Sequence, residues 1–230
     1  IDWKTISNIN LANETPINLQ NWLENSKEFY QSYLYEQFRL AVLFPKTTSE
    51  ISTFNSNEIT GNEFPQKQYL LTFDDGPTVQ NGNTDKTIKM LLDLNLSSVF
   101  YVLGNAFQQR KNATSIQSLK ELYQNQSVAS HGKEHNSHQK SKDWKSSIDF
   151  TNNQITSVFN KKRIDFRPPY GQRSPDIVSY LEKNNSKIVL WNIDSQDWNA
   201  KINPQEIAHR QITLMLLWRK GILLFHDIHP

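Results

Sequence analysis

Five short clusters of histidine, aspartate and arginine punctuate this sequence, and their residue types suit hydrolysis. Asp74 and Asp75 stand before Gly76 and Pro77, and His131 and His135 are four residues apart. Arg167 precedes Pro168, Pro169, Tyr170 and Gly171; Asp194 and Asp197 lead to Trp198; His226 precedes Asp227. Imidazoles four residues apart can turn their rings to one face. With one carboxylate they can hold a borderline divalent metal and leave positions open for water and substrate. A second carboxylate beside that metal can accept the water proton, and a histidine on the opposite rim can donate one to a leaving group. Arg167 would hold such a base ionised by its charge, and an acidic partner would keep the histidine protonated. An amine leaves badly unless it is protonated, so the set suits amide cleavage.

Each cluster also has a plainer reading. An Asp-Asp-Gly-Pro run commonly forms a turn whose carboxylates cap backbone amides. Arg167 suits a strand-end salt bridge, Trp198 a core position, and His226 a strand-end cap. His138 is a candidate third imidazole, read in preference as a solvated loop residue. What raises the clusters above these readings is their common position. Periodicity predicts strands over residues 69–73, 98–103, 127–130, 163–166, 187–193 and 221–225, and helices over 84–94, 116–123, 140–159, 175–184 and 204–218. Ser174 and Asn203 are the caps of the last two helices, each followed by a proline at the first helical position. Such βα alternation implies parallel strands with helices outside, in a sheet or barrel. Every cluster follows a predicted strand, and in a parallel architecture the carboxyl ends of strands share one rim.

Upstream, residues 19–44 carry Trp22, Leu23, Phe29, Tyr33, Leu34, Phe38 and Val42 near helical spacing, with Asn18 as a cap and Pro45 ending the pattern. These aromatics read as packing residues rather than a binding stripe. Residues 46–66, rich in Ser, Thr and Asn, read as a linker. The expected organisation is therefore a helical extension and linker over 1–66 and a catalytic domain over 67–230.

Composition narrows the classes. The 230 residues are 37% hydrophobic and 11% aromatic, enough for a sizeable core. No apolar run approaches the roughly 20 residues of a membrane span. A net charge of +2 with interspersed signs gives no electrostatic case for nucleic acid or a membrane surface. The absence of cysteine excludes disulfide scaffolds and thiolate metal sites, so a metal must be held by His, Asp or Glu. The start at Ile1 suggests a processed or trimmed amino terminus.

At these residues the chain closely resembles the polysaccharide deacetylases, carbohydrate esterase family four. The family's five ordered motifs appear as Thr72-Phe73-Asp74-Asp75-Gly76-Pro77, His131-Gly132-Lys133-Glu134-His135, Arg167-Pro168-Pro169-Tyr170-Gly171, Asp194-Ser195-Gln196-Asp197-Trp198 and Leu224-Phe225-His226. The resemblance covers residues 67–230 and implies a distorted, incomplete (β/α) barrel. It implies Asp74 as general base and Asp75, His131 and His135 as ligands of zinc or another divalent metal such as cobalt. It implies that Arg167 orients Asp74, that the Tyr170 N–H helps stabilise an oxyanion, and that Asp197 tunes the general acid His226. Pro169, Trp198 and Leu224 would border the substrate, the last two walling an acetyl pocket.

The implied activity is removal of N-acetyl groups from an N-acetylated polysaccharide or oligosaccharide, such as peptidoglycan, chitin or poly-N-acetylglucosamine, in an extracytoplasmic setting. Two alternatives are an O-acetyl esterase on acetylated xylan or another glycan, and a glycan-binding protein that no longer turns over. Two departures stand out. Gly132 replaces the family's usual Ser or Thr after the first metal histidine, and Asn136 replaces a common proline after the second. Family members generally continue through another helix and strand, so a closing segment is expected beyond Pro230.

Overall fold

Strands and helices alternate along the chain as the periodicity predicts. The computed structural model describes residues 19–43 and 56–229. In order they form α1 (Leu19–Leu43), β1 (Glu58–Ile59), β2 (Tyr69–Asp74), α2 (Asn83–Asp93), β3 (Val99–Val102), α3 (Gly104–Ala113), α4 (Ile116–Leu122), β4 (Ser127–Ser130), α5 (Trp144–Phe159), α6 (Pro175–Lys183), β5 (Ile188–Val189), β6 (Ile193–Asp194), α7 (Pro204–Trp218) and β7 (Gly221–His226). The chain divides into two units, Ile1–Pro45 and Lys46–Pro230. In the first, Phe29 stacks on Tyr33 along α1, and Tyr30 meets both rings edge-on. The expected cap Asn18 and terminator Pro45 lie outside the described residues. Among the described residues no helix is long and apolar enough to cross a membrane.

Among the described residues of the second unit, all strand pairs are parallel. One sheet runs β4-β3-β2-β7-β6 and another pairs β1 with β5. Phe166 joins the two by bridging Ser130 on one side and Ile188 on the other. The result is an open, distorted (β/α) barrel.

Side-chain alternation along these strands decides what reaches the interior. On β2, Leu71 and Phe73 face outward into a layer with Phe100, Ile88, Leu91, Tyr123 and Ile155. Leu70 instead faces an inner cluster with Tyr101, Val189 and Ile222. Thr72 and Asp74 share the parity of Leu70, and Leu224 and His226 share that of Ile222. The β2–β7 register sets Thr72 opposite Leu224 and Asp74 opposite His226, and the β2–β3 register sets Asp74 opposite Tyr101. One alternation rule thus delivers a carboxylate and an imidazole side by side to the carboxyl end of the barrel.

Several elements differ from the periodicity. Helix α3 was not anticipated because its core face consists of Gly104, Phe107 and Arg110, with one apolar side chain of any size among them. Arg110 is buried there by pairing with Asp85 at 2.7 Å. The strand expected over 187–193 is broken into β5 and β6, which pair with different neighbours. The carbonyls of Val189 and Leu190, at the break, accept hydrogen bonds from Arg167. The strand expected over 163–166 is reduced to the bridge at Phe166. The two proline-led helices start as the caps predict: the Ser174 side chain accepts from Ile177 N–H, and Asn203 and Glu206 form a reciprocal capping box.

The stretch read as a linker holds a further difference. Glu58 and Ile59, within it, pair with β5. Glu58 takes a forked pair of hydrogen bonds from Arg173 at 2.7 and 2.8 Å, and both side chains are almost wholly buried. Breaking a buried ion pair by removing one partner typically costs about 3–5 kcal/mol. Glu58→Ala is therefore expected to lower stability by roughly that amount in urea unfolding. An unchanged midpoint would show that β1 is dispensable to the barrel.

Candidate metal and hydrolytic site

Strand alternation alone would send Asp75 to the opposite face from Asp74. Its left-handed backbone (φ 80°) turns the chain instead, a conformation Asp tolerates better than most residues. The next residue, Gly76, donates its N–H to Asp227 Oδ1 at 3.0 Å, and a Cβ at Gly76 would fall 2.2 Å from the same carboxylate. So turned, Asp75 Oδ1 lies 3.5 Å from His131 Nε2 and 3.7 Å from His135 Nε2. One ligand atom from each of the three residues lies within 4.8 Å of the others.

The tautomer of His131 follows from its hydrogen bond. His131 Nδ1 is 2.8 Å from the Arg167 carbonyl, which can only accept, so Nδ1 carries the proton and Nε2 presents a bare lone pair. Burial pushes His131 down to about 3, against the pull of Asp75, so the ring is neutral. Asp75 Oδ1 is itself buried and has no hydrogen-bond partner among the described residues. A buried acceptor without a donor is costly. Two imidazole nitrogens and one carboxylate oxygen, turned toward each other, fit a borderline divalent cation.

His138 does not join this cluster, and it is not a solvated loop residue either. It is 2% exposed, packs edge-on against Phe166 at 5.2 Å, and hydrogen-bonds Asn136 O and Ser147 Oγ. Burial lowers its pKa.

Asp74 sits beside the cluster but is held differently. Its Oδ1 accepts from Arg167 Nη1 at 2.8 Å, while Oδ2 lies 3.8 Å from His131 Nε2. Arg167 is fully buried and uses all three guanidinium nitrogens: Nε to Val189 O, Nη1 also to Thr72 Oγ1, and Nη2 to Leu190 O. Its plane lies over Tyr101, 4.0 Å from the ring centre. Burial raises the pKa of Asp74, opposed by Arg167 and His226. That direction makes a carboxylate a better proton acceptor.

Across the β2–β7 register, His226 Nδ1 is 2.7 Å from Asp197 Oδ1, and Asp197 Oδ2 accepts the His226 backbone N–H at 2.7 Å. Burial disfavours the imidazolium, but the Asp197 hydrogen bond and the charges of Asp74, Asp197 and Asp75 carry His226 up to about 9. Burial likewise works against the Asp197 charge, and its bonds to His226 outweigh that and hold it low. One rim therefore presents a bare ligand cluster, a buried carboxylate and a protonated imidazole.

The remaining sequence-predicted residues fall around this rim. Pro169 is buried and opens a short 3₁₀ turn to Gly171, in which Tyr170 is left-handed (φ 61°) and 55% exposed. The Tyr170 ring meets His135 edge-on at 4.5 Å. Leu224 is buried two residues before His226, whereas Trp198 is 53% exposed, unlike the core position its type suggests. Thr72 and Asp227 lie within the motifs and clusters read from the sequence, but no role is assigned to them there. Thr72 donates to Leu223 O and accepts from Arg167, and its place two residues before Asp74 on one strand face was the available signal. Asp227 anchors the Gly76 N–H and adjoins His226 in sequence.

The chain is similar to known proteins over much of its length. A family model described as polysaccharide deacetylase matches residues 61–208. The chain is 33% identical to a bifunctional xylanase/xylan deacetylase of Cellvibrio japonicus over 138 residues, 56% of this chain and 19% of that protein. It is 26% identical to a peptidoglycan-N-acetylglucosamine deacetylase of Bacillus cereus over 188 residues, 78% of this chain and 64% of that protein. The crystal structure of the Bc1960 peptidoglycan N-acetylglucosamine deacetylase shares the fold, with a TM-score of 0.64 at 20% identity over 74% of this chain and 76% of that one. The chain spans less than two thirds of the length of these curated relatives.

The Asp197–His226 pair makes a pH prediction. Because His226 is raised to about 9 from the ordinary 6.5, its contribution to stability is complete below about 6.5 and is lost as pH rises through about 9. An NMR titration of the His226 ring should give a midpoint near 9 that falls toward 6.5 in Asp197→Asn. A native midpoint near 6.5 would contradict the pairing.

Proposed function

The chain belongs to the polysaccharide deacetylase family, and we propose that it hydrolyses N-acetyl groups on amino sugars of a polysaccharide, such as peptidoglycan, a chitin-like glycan or poly-N-acetylglucosamine, releasing acetate. The observation that carries this reading is that the Asp75–His131–His135 cluster shares the carboxyl rim of the strands with the Arg167-held carboxylate of Asp74 and with His226, which is paired with Asp197.

In this reading Asp75, His131 and His135 hold zinc or another divalent metal such as cobalt. When bound, the metal supplies Lewis acidity toward the acetyl carbonyl and lowers the pKa of water. Asp74 accepts the proton of the attacking water through Oδ2, since Arg167 occupies Oδ1. Arg167 fixes that carboxylate, so no side-chain search precedes proton transfer. As the water oxygen bonds to the carbonyl carbon, the Tyr170 N–H donates to the developing oxyanion. His226, whose Nδ1 is taken by Asp197, delivers its Nε2 proton to the amide nitrogen. The carbon–nitrogen bond breaks, and acetate and a free amine leave. Pro169, Trp198 and Leu224 border the acetyl group and the adjoining sugar. Glycans of this kind lie outside the cytoplasm, so we place the protein there.

A second reading, O-acetyl ester cleavage on xylan, is favoured by one observation: the relative at 33% identity is named a xylanase/xylan deacetylase. The same base and acid suffice, and an alkoxide leaves more readily than an amine. Acetate release from chitooligosaccharides, peptidoglycan, poly-N-acetylglucosamine and acetylated xylan, with zinc and with chelator, separates the two. Chelator-sensitive release from an N-acetylated glycan is expected. Release from acetylated xylan alone would favour the ester reading, and release from none would contradict both.

His226→Ala should lower kcat/KM on an amide substrate by about 10²–10⁴, the usual worth of a positioned general acid. The same change should cost far less on p-nitrophenyl acetate, whose leaving group needs little protonation. Equal losses on both substrates would argue against an acid role.

A further inference from the structure

Gly132, directly after His131, is left-handed (φ 84°), and a Cβ built there would lie 2.4 Å from His138 Cε1 and 2.6 Å from its Nε2. The imidazole of His138 therefore fills the space that a side chain at 132 would need. Its hydrogen bonds run in one direction. The Asn136 carbonyl can only accept, so a neutral His138 donates from Nδ1 at 2.9 Å. Nε2 is then the acceptor and takes the Ser147 hydroxyl proton at 2.9 Å. That leaves Ser147 Oγ free to accept the Lys133 N–H at 2.8 Å. The relay Lys133 N–H, Ser147, His138, Asn136 O leaves no donor facing a donor. It ties a backbone group between the two metal histidines, and one just after the second, to the first turn of α5. From the other side, Gly104 N–H donates to Gly132 O and Asn105 N–H to Lys133 O.

We propose that His138 is a positioning residue for the metal cluster: with Ser147 it clamps the loop over residues 131–136, so that His131 and His135 already face Asp75 before a cation arrives. The proposal rests on the reading of Asp75, His131 and His135 as the metal ligands. The three-residue spacing from His135 gives His138 the look of a ligand, but its two nitrogens are engaged by Asn136 and Ser147 and it stands outside the cluster. An imidazole that holds a ligand loop in place acts on metal affinity, where an imidazole that only fills space acts on folding.

The test is zinc affinity, measured by competition with a chromophoric chelator on the full chain, together with the melting temperature of the metal-free protein. His138→Ala and Ser147→Ala should each weaken zinc binding, by about ten- to hundred-fold for the former, the usual worth of a partner behind a metal ligand. Ser147→Ala is the smaller change and decides the matter if His138→Ala does not fold. Gly132→Ala should weaken binding in the native chain and weaken it less in the His138→Ala background, because the clash is gone there; that non-additivity is the signature of direct coupling. Native zinc affinity in both His138→Ala and Ser147→Ala, with only the melting temperature lowered, would overturn the proposal and leave the ligand reading standing. His135→Ala separates the two: if it binds zinc as the native chain does, or if the native chain binds none, the ligand reading fails and the proposal fails with it.

Discussion

The buried pair of Arg167 and Asp74 is the interaction on which the rest of this site depends. Taking a guanidinium wholly out of water costs several kcal/mol and is tolerated only where its donors are satisfied and a carboxylate faces it. Here the donors reach Asp74, Thr72, Val189 and Leu190, and Tyr101 covers the plane. These contacts fasten β2 to the break between β5 and β6. The backbone carbonyl of the same residue accepts from His131 Nδ1 and so settles which nitrogen of that ring is bare. One residue thus orients the candidate base with its side chain and the first candidate ligand with its main chain.

Two adjacent aspartates can hold different partners because the chain changes conformation between them. Asp74 ends a regular strand and keeps its inward parity. Asp75 leaves the strand in a left-handed turn, sealed by the Gly76–Asp227 hydrogen bond. The first carboxylate has an arginine to neutralise it. One buried oxygen of the second has no donor among the described residues and faces two imidazoles. Beside Asp74 on the paired strand β7, His226 is kept cationic by Asp197. One rim therefore holds a carboxylate paired with arginine, a carboxylate facing two imidazoles, and a cation.

Much of this was legible because it is local. The βα alternation, the two capped helices and the placement of reactive clusters after strands each depend on a few consecutive residues, and they fix the parity that sets Asp74 opposite His226. What escaped depends on distant partners. Glu58 and Arg173 are 115 residues apart, and neither carries a local mark of its burial. The interruption between β5 and β6 sits where Arg167 takes two carbonyls, which an apolar run over 187–193 does not disclose. His138 lies in a polar stretch that reads as solvated until Phe166 and α5 close over it. Helix α3 was invisible because an ion pair, rather than an apolar stripe, buries Arg110.

The central claim is that Asp74 and Asp75 divide the work, one as a base held by arginine and the other as a metal ligand. Calorimetric titration with zinc of Asp74→Asn and Asp75→Asn, beside the native chain, addresses it most directly. The account predicts one zinc site in the native chain, retained in Asp74→Asn and lost in Asp75→Asn. Loss of the site in Asp74→Asn with retention in Asp75→Asn would contradict it.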